Sequence, residues 1–195
     1  MARKRLVKFY KGSQRNYEIP IIMSQKLSET ELKAQLSEMR VMITKEFEAE
    51  VIDISNTSIR PYAYPIQTPN NKKGYFACMY IKANPEKIHE IRKKLSSENN
   101  VLRVFAILAN PKKQSYGIFS PKYEEEYSSH KNKNKLFSYD DPNTLLKFIG
   151  ERGKIEGQKS IVGKKIVYNL AKKQRIISKT IKTARLLSIL PYQED

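Results

Sequence analysis

The order of apolar periods between Tyr17 and Leu108 constrains this chain more than any other feature. Tyr17 to Met23 (YEIPIIM) is a short, branched apolar run of strand type. Pro20 within it has no N–H to donate, so the run is expected at a sheet edge or at a bulge. Ser28-Glu29-Thr30-Glu31 matches a capping box, with Ser at N-cap and Glu at N3. Leu32, Leu36, Met39, Ile43 and Phe47 follow at spacings of four, three, four and four. They form one apolar face of a helix of about twenty residues. Val51 to Ile54 returns to β-type residues, and Ile59 to Ile66 (IRPYAYPI) is expected to be extended. Pro69 to Gly74 is a loop signal, and Tyr75 to Ile81 (YFACMYI) is a buried strand by composition, so the two arms suggest a long hairpin. Asn84, with Pro85 after it, is expected to cap a second helix whose apolar stripe is Ile88, Ile91 and Leu95. Asn99-Asn100 ends it, and Val101 to Leu108 (VLRVFAIL) supplies a fourth strand.

The order is β-α-β-β-α-β. Two helices packing on one face of an antiparallel sheet in that order make an α+β, ferredoxin-like sandwich. Four regions follow: a basic arm (1–15), the sandwich (16–109), a linker (110–135) rich in Pro, Gly, Ser and charge, and a small basic helical module (136–195). In the last region Asp141 is expected to cap a helix that begins at Pro142 and ends near Gly150 and Gly153. A final helix is expected from about Val167 to Ser188, stopped by Pro191.

Charge points to a polyanion. The chain of 195 residues has 37 Lys and Arg against 20 Asp and Glu, a net +17. No apolar run approaches the ~20 residues needed to span a bilayer, so no membrane partner is expected. Cys78 is the one cysteine, which rules out a disulfide or a Cys-based zinc site within the chain. Met1 to Arg15 has six basic residues, no acid and no apolar stretch, so it is not a secretory signal. It reads as a basic arm lying on RNA, with an organellar presequence as the alternative.

The final helix is the most informative stretch. On a helical wheel, Lys172, Arg175, Lys179 and Lys182 fall together on one side. Leu170, Ile177, Ile181 and Ala184 cluster on the opposite side. Lys164, Lys165, Lys173 and Arg185 are read as flanking the cationic side. From Gly157 to Gln193 there are nine Lys or Arg and no Asp or Glu. Solvated helix faces mix signs, because opposite charges at i,i+4 stabilise and like charges do not. A row of like charges is relieved when phosphates lie against it. Binding of that kind weakens by roughly 0.7–0.9 log unit per log unit of salt for each phosphate contacted. A basic amphipathic helix can also lie on a membrane, but this apolar face is narrow and lacks Trp or Phe anchors. Tyr62, Tyr64, Tyr75, Tyr168 and Tyr192 are candidates for stacking on bases, with ordinary packing as the alternative for each.

An enzymatic reading finds little. His89 and His130 have no partner pattern, Cys78 has apolar neighbours, and no HExxH, GxSxG or phosphate-cradling Gly loop occurs. No catalytic residue, metal site or cofactor is expected.

Two stretches resemble known families. Tyr17-Glu18, Arg60 with Ala63-Tyr64-Pro65-Ile66, Gly74-Tyr75-Phe76 and Asn100-Val101-Leu102-Arg103-Val104 are marks of bacterial small-subunit ribosomal protein six, which residues 17–109 resemble. Ser58 stands where that family usually has glycine, and Tyr62 where it has leucine. Tyr139-Asp140, Gly153-Lys154-Ile155, Gln174-Arg175, Ile181-Lys182, Ala184-Arg185 and Leu190-Pro191-Tyr192 are marks of small-subunit ribosomal protein eighteen, which residues 137–192 resemble. Some members of that second family carry paired cysteines; this chain has none, so a metal role does not carry over. The resemblance implies a structural protein that binds the central domain, or platform, of small-subunit rRNA beside neighbouring ribosomal proteins. Two chains that are normally separate partners look fused here, so docking of the modules within the chain is expected. A linker of about 26 residues has a mean span of about 25–30 Å and holds the halves at millimolar-scale effective concentration. Lys154, Lys164, Lys165, Lys172, Lys173, Arg175, Lys179, Lys182 and Arg185 are the expected rRNA contacts. Arg60, Tyr62, Tyr64 and Arg103 are expected at the module interface or on rRNA. A free RNA- or DNA-binding regulator and a small ferredoxin-like enzyme with a basic tail are the rival readings. Abundant Lys, Ile and Asn suggest an AT-rich genome, and a fused pair fits a ribosome of an organelle more readily than one of the bacterial cytoplasm.

Overall fold

A computed structural model of the chain describes residues 14–55, 57–68, 71–109, 139, 141–150, 152–157 and 170–193. The chain divides into two compact units, Met1–Arg60 with Gly74–Ser120, and Pro61–Lys73 with Pro121–Asp195. The linker expected at 110–135 lies outside the described residues.

The first unit is built on an antiparallel sheet. In chain order its elements are β1 (Arg15–Ser24), α1 (Glu29–Phe47), β2 (Glu50–Ile54), β3 (Ser58–Pro61), β4 (Lys73–Ala83), α2 (Ile88–Ser96), β5 (Val101–Val104) and β6 (Ile107–Leu108). The strand order is β2-β4-β1-β5, with β3 beside β4 and β6 beside β1. This is the ferredoxin-like α+β arrangement. Alternate residues of the two central strands, Ile19, Ile21 and Met23 with Ala77, Met79 and Ile81, share one core with Leu32, Leu36, Met39 and Ile43 of α1 and Ile91 and Leu95 of α2. Phe47, the last member of the expected α1 stripe, is partly buried against that core. The intervening residues Ile22, Phe76, Cys78 and Tyr80 are buried as well. Burial on both faces explains why β4 reads as a continuous apolar run rather than an alternating one.

The capping box forms as its sequence requires. The Ser28 hydroxyl accepts from the Glu31 N–H at 3.3 Å, and the Glu31 carboxylate accepts from the Ser28 N–H at 2.8 Å. The bonds from Ser28 to the carboxylate, the backbone one foremost, hold the Glu31 carboxyl below its ordinary pKa.

Four expectations change. Pro20 is not at an edge: β1 lies between β4 and β5. The Phe105 N–H donates to the Pro20 carbonyl at 3.1 Å, but the reciprocal donor is missing. The fourth strand breaks at this point, into β5 and β6, so the interruption falls on the neighbour rather than on β1. The second helix starts at Ile88, later than Pro85; residues 85–87 form a turn in which the Asn84 side chain accepts from the Glu86 N–H at 3.1 Å. Finally, IRPYAYPI is extended only as far as Pro61. Beyond it the chain bends, closing on itself where the Tyr62 N–H donates to the Lys72 carbonyl at 2.8 Å.

In the second unit, α3 (Pro142–Leu146) is capped by the Asp141 carboxylate, which accepts from the Thr144 N–H at 3.1 Å. The chain then doubles back through a tight turn, Gly150 to Gly153, closed by an antiparallel bridge between Ile149 and Ile155. The last helix, α4, is described over Leu170–Leu186. Its expected start near Val167 lies outside the described residues. The helix ends with Ser188 in the left-handed region (φ 54°), and the Ile189 N–H donates back to the Ala184 carbonyl at 2.9 Å. Leu145, Phe148, Ile177, Ile181, Ala184, Leu187 and Leu190 are buried.

Candidate nucleic-acid interface

Helix α4 divides as its sequence requires. Ile177, Ile181 and Ala184 are fully buried, which fixes the roll of the helix. That roll leaves Arg175, Lys179 and Lys182 exposed on the other side. The row covers about 10 Å of helix axis. Its three residues line a shallow, open depression with Gln174, Ser178 and Thr183, and Leu186 lies at its end. The Thr183 hydroxyl turns back to the Lys179 carbonyl at 3.1 Å, so it is occupied within the helix. Among the described residues, ion pairs occur at Lys87–Glu48 and Lys94–Glu46, and neither involves this helix. Its cations therefore repel one another at i,i+4 and i,i+3 without a described carboxylate to offset them.

Arg185 departs from expectation. Its charge suggests a phosphate contact, yet it is buried, with 8% of its surface exposed. Its Nε donates to the Pro191 carbonyl at 3.0 Å, and Nη2 donates to the Gly153 carbonyl. The guanidinium also lies 5.6 Å from the ring centre of Tyr192. The reason is its place on the helix: Arg185 follows Ile181 by one turn and so borders the buried face rather than the cationic one. Its side chain turns inward and ties the helix to the Gly150–Gly153 turn and to the segment after Pro191. Gly153 itself has φ +70°, and an added Cβ would run into the Tyr192 carbonyl.

Lys154 is exposed just after that turn, and Arg152, absent from the set expected from sequence, is exposed within it. The signal for it lies in the run Gly150-Glu151-Arg152-Gly153-Lys154, where two glycines allow a tight reversal with Arg152 inside it and Lys154 directly after it. Lys172 and Lys173 belong to α4, but their side chains are not among those described. Lys164, Lys165, Tyr168 and His130 also lie outside the described residues.

Of the four residues expected at a module interface or on rRNA, Tyr64 has the clearest placement. Its hydroxyl donates to the Arg185 carbonyl at 2.6 Å, and its ring packs against Tyr192 with centres 5.7 Å apart. The neighbouring Ala63 N–H donates to the Ser188 carbonyl at 2.7 Å. Tyr62 is buried. Arg60 is half-buried, its Nε donating to the Ser58 hydroxyl at 3.0 Å, a bond that a glycine at 58 could not accept. Arg103 is half-buried opposite Ile22 in the sheet. Tyr75 is buried, whereas Tyr192 is exposed.

Cys78 is fully buried, and its backbone bonds Ser55 on both sides: the Cys78 N–H donates to the Ser55 hydroxyl at 2.8 Å and the Ser55 N–H to the Cys78 carbonyl at 2.9 Å. Its place in the sheet is that of a small core residue. His89 is exposed on α2. Among the described residues no helix is long and apolar enough to cross a membrane.

The chain is similar to known proteins over two successive segments. Residues 16–107 match the family model of ribosomal protein S6, and residues 133–190 match that of ribosomal protein S18. Small ribosomal subunit protein bS6 of Helicobacter pylori is 34% identical over 101 residues, covering 51% of this chain and 68% of that protein. Small ribosomal subunit protein bS18 of Mycoplasma mobile is 38% identical over 80 residues, covering 41% of this chain and 84% of that protein. A crystal structure of 30S ribosomal protein S6 from Thermotoga maritima matches with a TM-score of 0.46 and 14% identity, over 60% of this chain and 99% of that one. The chain thus belongs to two families at once, S6 through its first part and S18 through its last, and it is a structural protein of the small ribosomal subunit.

Proposed function

We propose that this chain binds the central domain of small-subunit rRNA, on the platform, and helps that RNA hold its fold during assembly. The observation that carries the reading is the row Arg175, Lys179 and Lys182, exposed on a helix whose other side is buried. Lys154, Lys164, Lys165, Lys172 and Lys173 extend the set. Phosphate contacts of this kind position a protein without reading bases, so RNA shape supplies the specificity. The two family parts work as partners within one chain. The bonds from Ala63 and Tyr64 to Ser188 and Arg185 support that pairing, because they join an S6-family segment to the end of an S18-family helix.

Crosslinking the chain within purified small subunits, followed by sequencing of the attached RNA, tests the reading. Crosslinks from the 175–182 face should fall in the central domain. A chain that sediments free of small subunits, or whose α4 crosslinks only to protein, would overturn it. The fused arrangement and the abundance of Lys, Ile and Asn favour an organellar ribosome, which cell fractionation with an antibody to this chain would test.

A further inference from the structure

Arg185 joins two elements that each carry exposed basic residues. On one side is α4, which carries Arg175, Lys179 and Lys182. On the other is the Gly150–Gly153 turn, whose Gly153 carbonyl accepts from the Arg185 guanidinium. The residues on either side of Gly153 are Arg152 and Lys154, both exposed. Lys182 lies three positions before Arg185, about 4.5 Å back along the helix axis. The guanidinium bond therefore brings the turn, with Arg152 in it and Lys154 after it, toward the Lys182 end of the cationic row. The same guanidinium donates to the Pro191 carbonyl at 3.0 Å and lies against Tyr192, whose carbonyl closes over Gly153. A lysine has one compact ammonium and could not reproduce a fork that meets two carbonyls while stacking on a ring.

We infer that Arg185 is a positioning residue, and that it makes the turn and the helix a single phosphate-binding surface in which Arg152 is a further contact. The inference rests on the rRNA reading above. Arg185 touches no phosphate itself. Its positive charge is committed to backbone carbonyls, so it acts on binding through the turn it holds and not through its own charge. Removing one direct contact weakens binding and lowers the salt slope by about 0.7–0.9, whereas displacing the turn removes the Arg152 and Lys154 contacts together even when the charge at 185 is kept.

The test is binding of the full-length chain to transcribed small-subunit rRNA across a range of salt, with helical circular dichroism to check each variant's fold. Arg152→Ala, Lys154→Ala and Lys182→Ala should each lower the slope by about one contact. Arg185→Lys, which keeps the charge, should weaken binding about tenfold, or roughly 1.4 kcal/mol, and should lower the slope by about two contacts, because Arg152 and Lys154 leave the surface together. Arg152→Ala introduced into the Arg185→Lys chain should have little further effect, because the turn is already out of place. Should Arg185→Lys prove unfolded, Tyr192→Ala supplies the milder perturbation of the same junction, with the same expected pattern. A slope that falls with Arg185→Ala but not with Arg185→Lys would make Arg185 a direct contact and overturn the inference. So would full additivity of Arg152→Ala with Arg185→Lys. Salt-insensitive binding by the unaltered chain would instead sink the rRNA reading itself.

Discussion

The two family parts of this chain manage charge in opposite ways. Residues 16–109 hold 13 Lys or Arg and 11 Asp or Glu, close to balance, and two of the basic groups pair with carboxylates at 2.9 Å (Lys87–Glu48) and 3.5 Å (Lys94–Glu46). Helix α4 has six Lys or Arg and no acid. Among the described residues the sandwich also has the larger apolar core, fed by two helices and both central strands. Its surface charges can be arranged for solubility and local pairing, since its fold does not depend on them. The C-terminal part has fewer described buried apolar groups and an unbalanced face. A row of like charges costs folding stability, a cost that the proposed phosphate contacts would offset.

The largest effects should appear where burial is deepest. Ile81, fully buried at the centre of the sheet, is a sharp probe. Ile81→Ala should destabilise the sandwich by about 2–5 kcal/mol in urea unfolding followed by circular dichroism. The salt slope of rRNA binding, measured where the variant remains folded, should not move. A changed slope would show that the two parts do not divide their work as their charges suggest. The complementary experiment is the triple change Arg175→Ala, Lys179→Ala and Lys182→Ala. It should lower the slope of log affinity against log salt by roughly two to three. Stability should stay level or rise by a few tenths of a kcal/mol as like-charge repulsion is relieved. A variant that loses stability while keeping its slope would reverse the comparison.

Most of this division was legible in the sequence, and the exceptions share a cause. The α1 stripe, the capping box and the Asp141 cap are local: spacing and side-chain chemistry within four residues decide them. Pro20 is different. Its missing N–H reads as a property of its own strand, yet the consequence appears on the neighbouring one, as a gap between β5 and β6. The Tyr- and Pro-rich segment after β3 looks extended because its residues favour strands, but beyond Pro61 its bonds go to Lys72 and to the end of α4. Arg185 misleads for the same reason. Charge and position suggest a surface residue, and only its carbonyl partners, Gly153 far off in sequence and Pro191 nearby, show that its side chain turns inward. Residue type predicts which partner a group wants, while the fold decides which partner it meets.

A smaller effect tests the local side of the comparison. Ser28→Ala removes the hydroxyl that accepts from the Glu31 N–H and should cost about 1 kcal/mol of sandwich stability. The change lies at the start of α1, so rRNA binding at neutral pH should be untouched. A loss of affinity larger than the loss of folded protein would mean that α1 contributes to the RNA surface.

The smallest effect has a defined pH signature. Glu31 is held below its ordinary value of 4.5 by the Ser28 backbone and side-chain bonds, and Glu48 is held below it by its hydrogen bond to Lys87 and that residue's charge. A carboxyl whose folded pKa is depressed binds fewer protons folded than unfolded. Its contribution is therefore present above the ordinary value and is lost as pH falls through the folded one. Both groups are fully exposed, so each effect is small and screened by salt. Glu31→Gln keeps an acceptor for the Ser28 N–H but removes the titration. Its stability should fall less steeply than that of the unaltered chain as pH drops below 4.5, and the two curves should run parallel well above that value. Curves that stay parallel throughout the acid range would show that the capping bond does not distinguish the charged carboxylate from a neutral acceptor. The asymmetry between the halves would then rest on the α4 row alone.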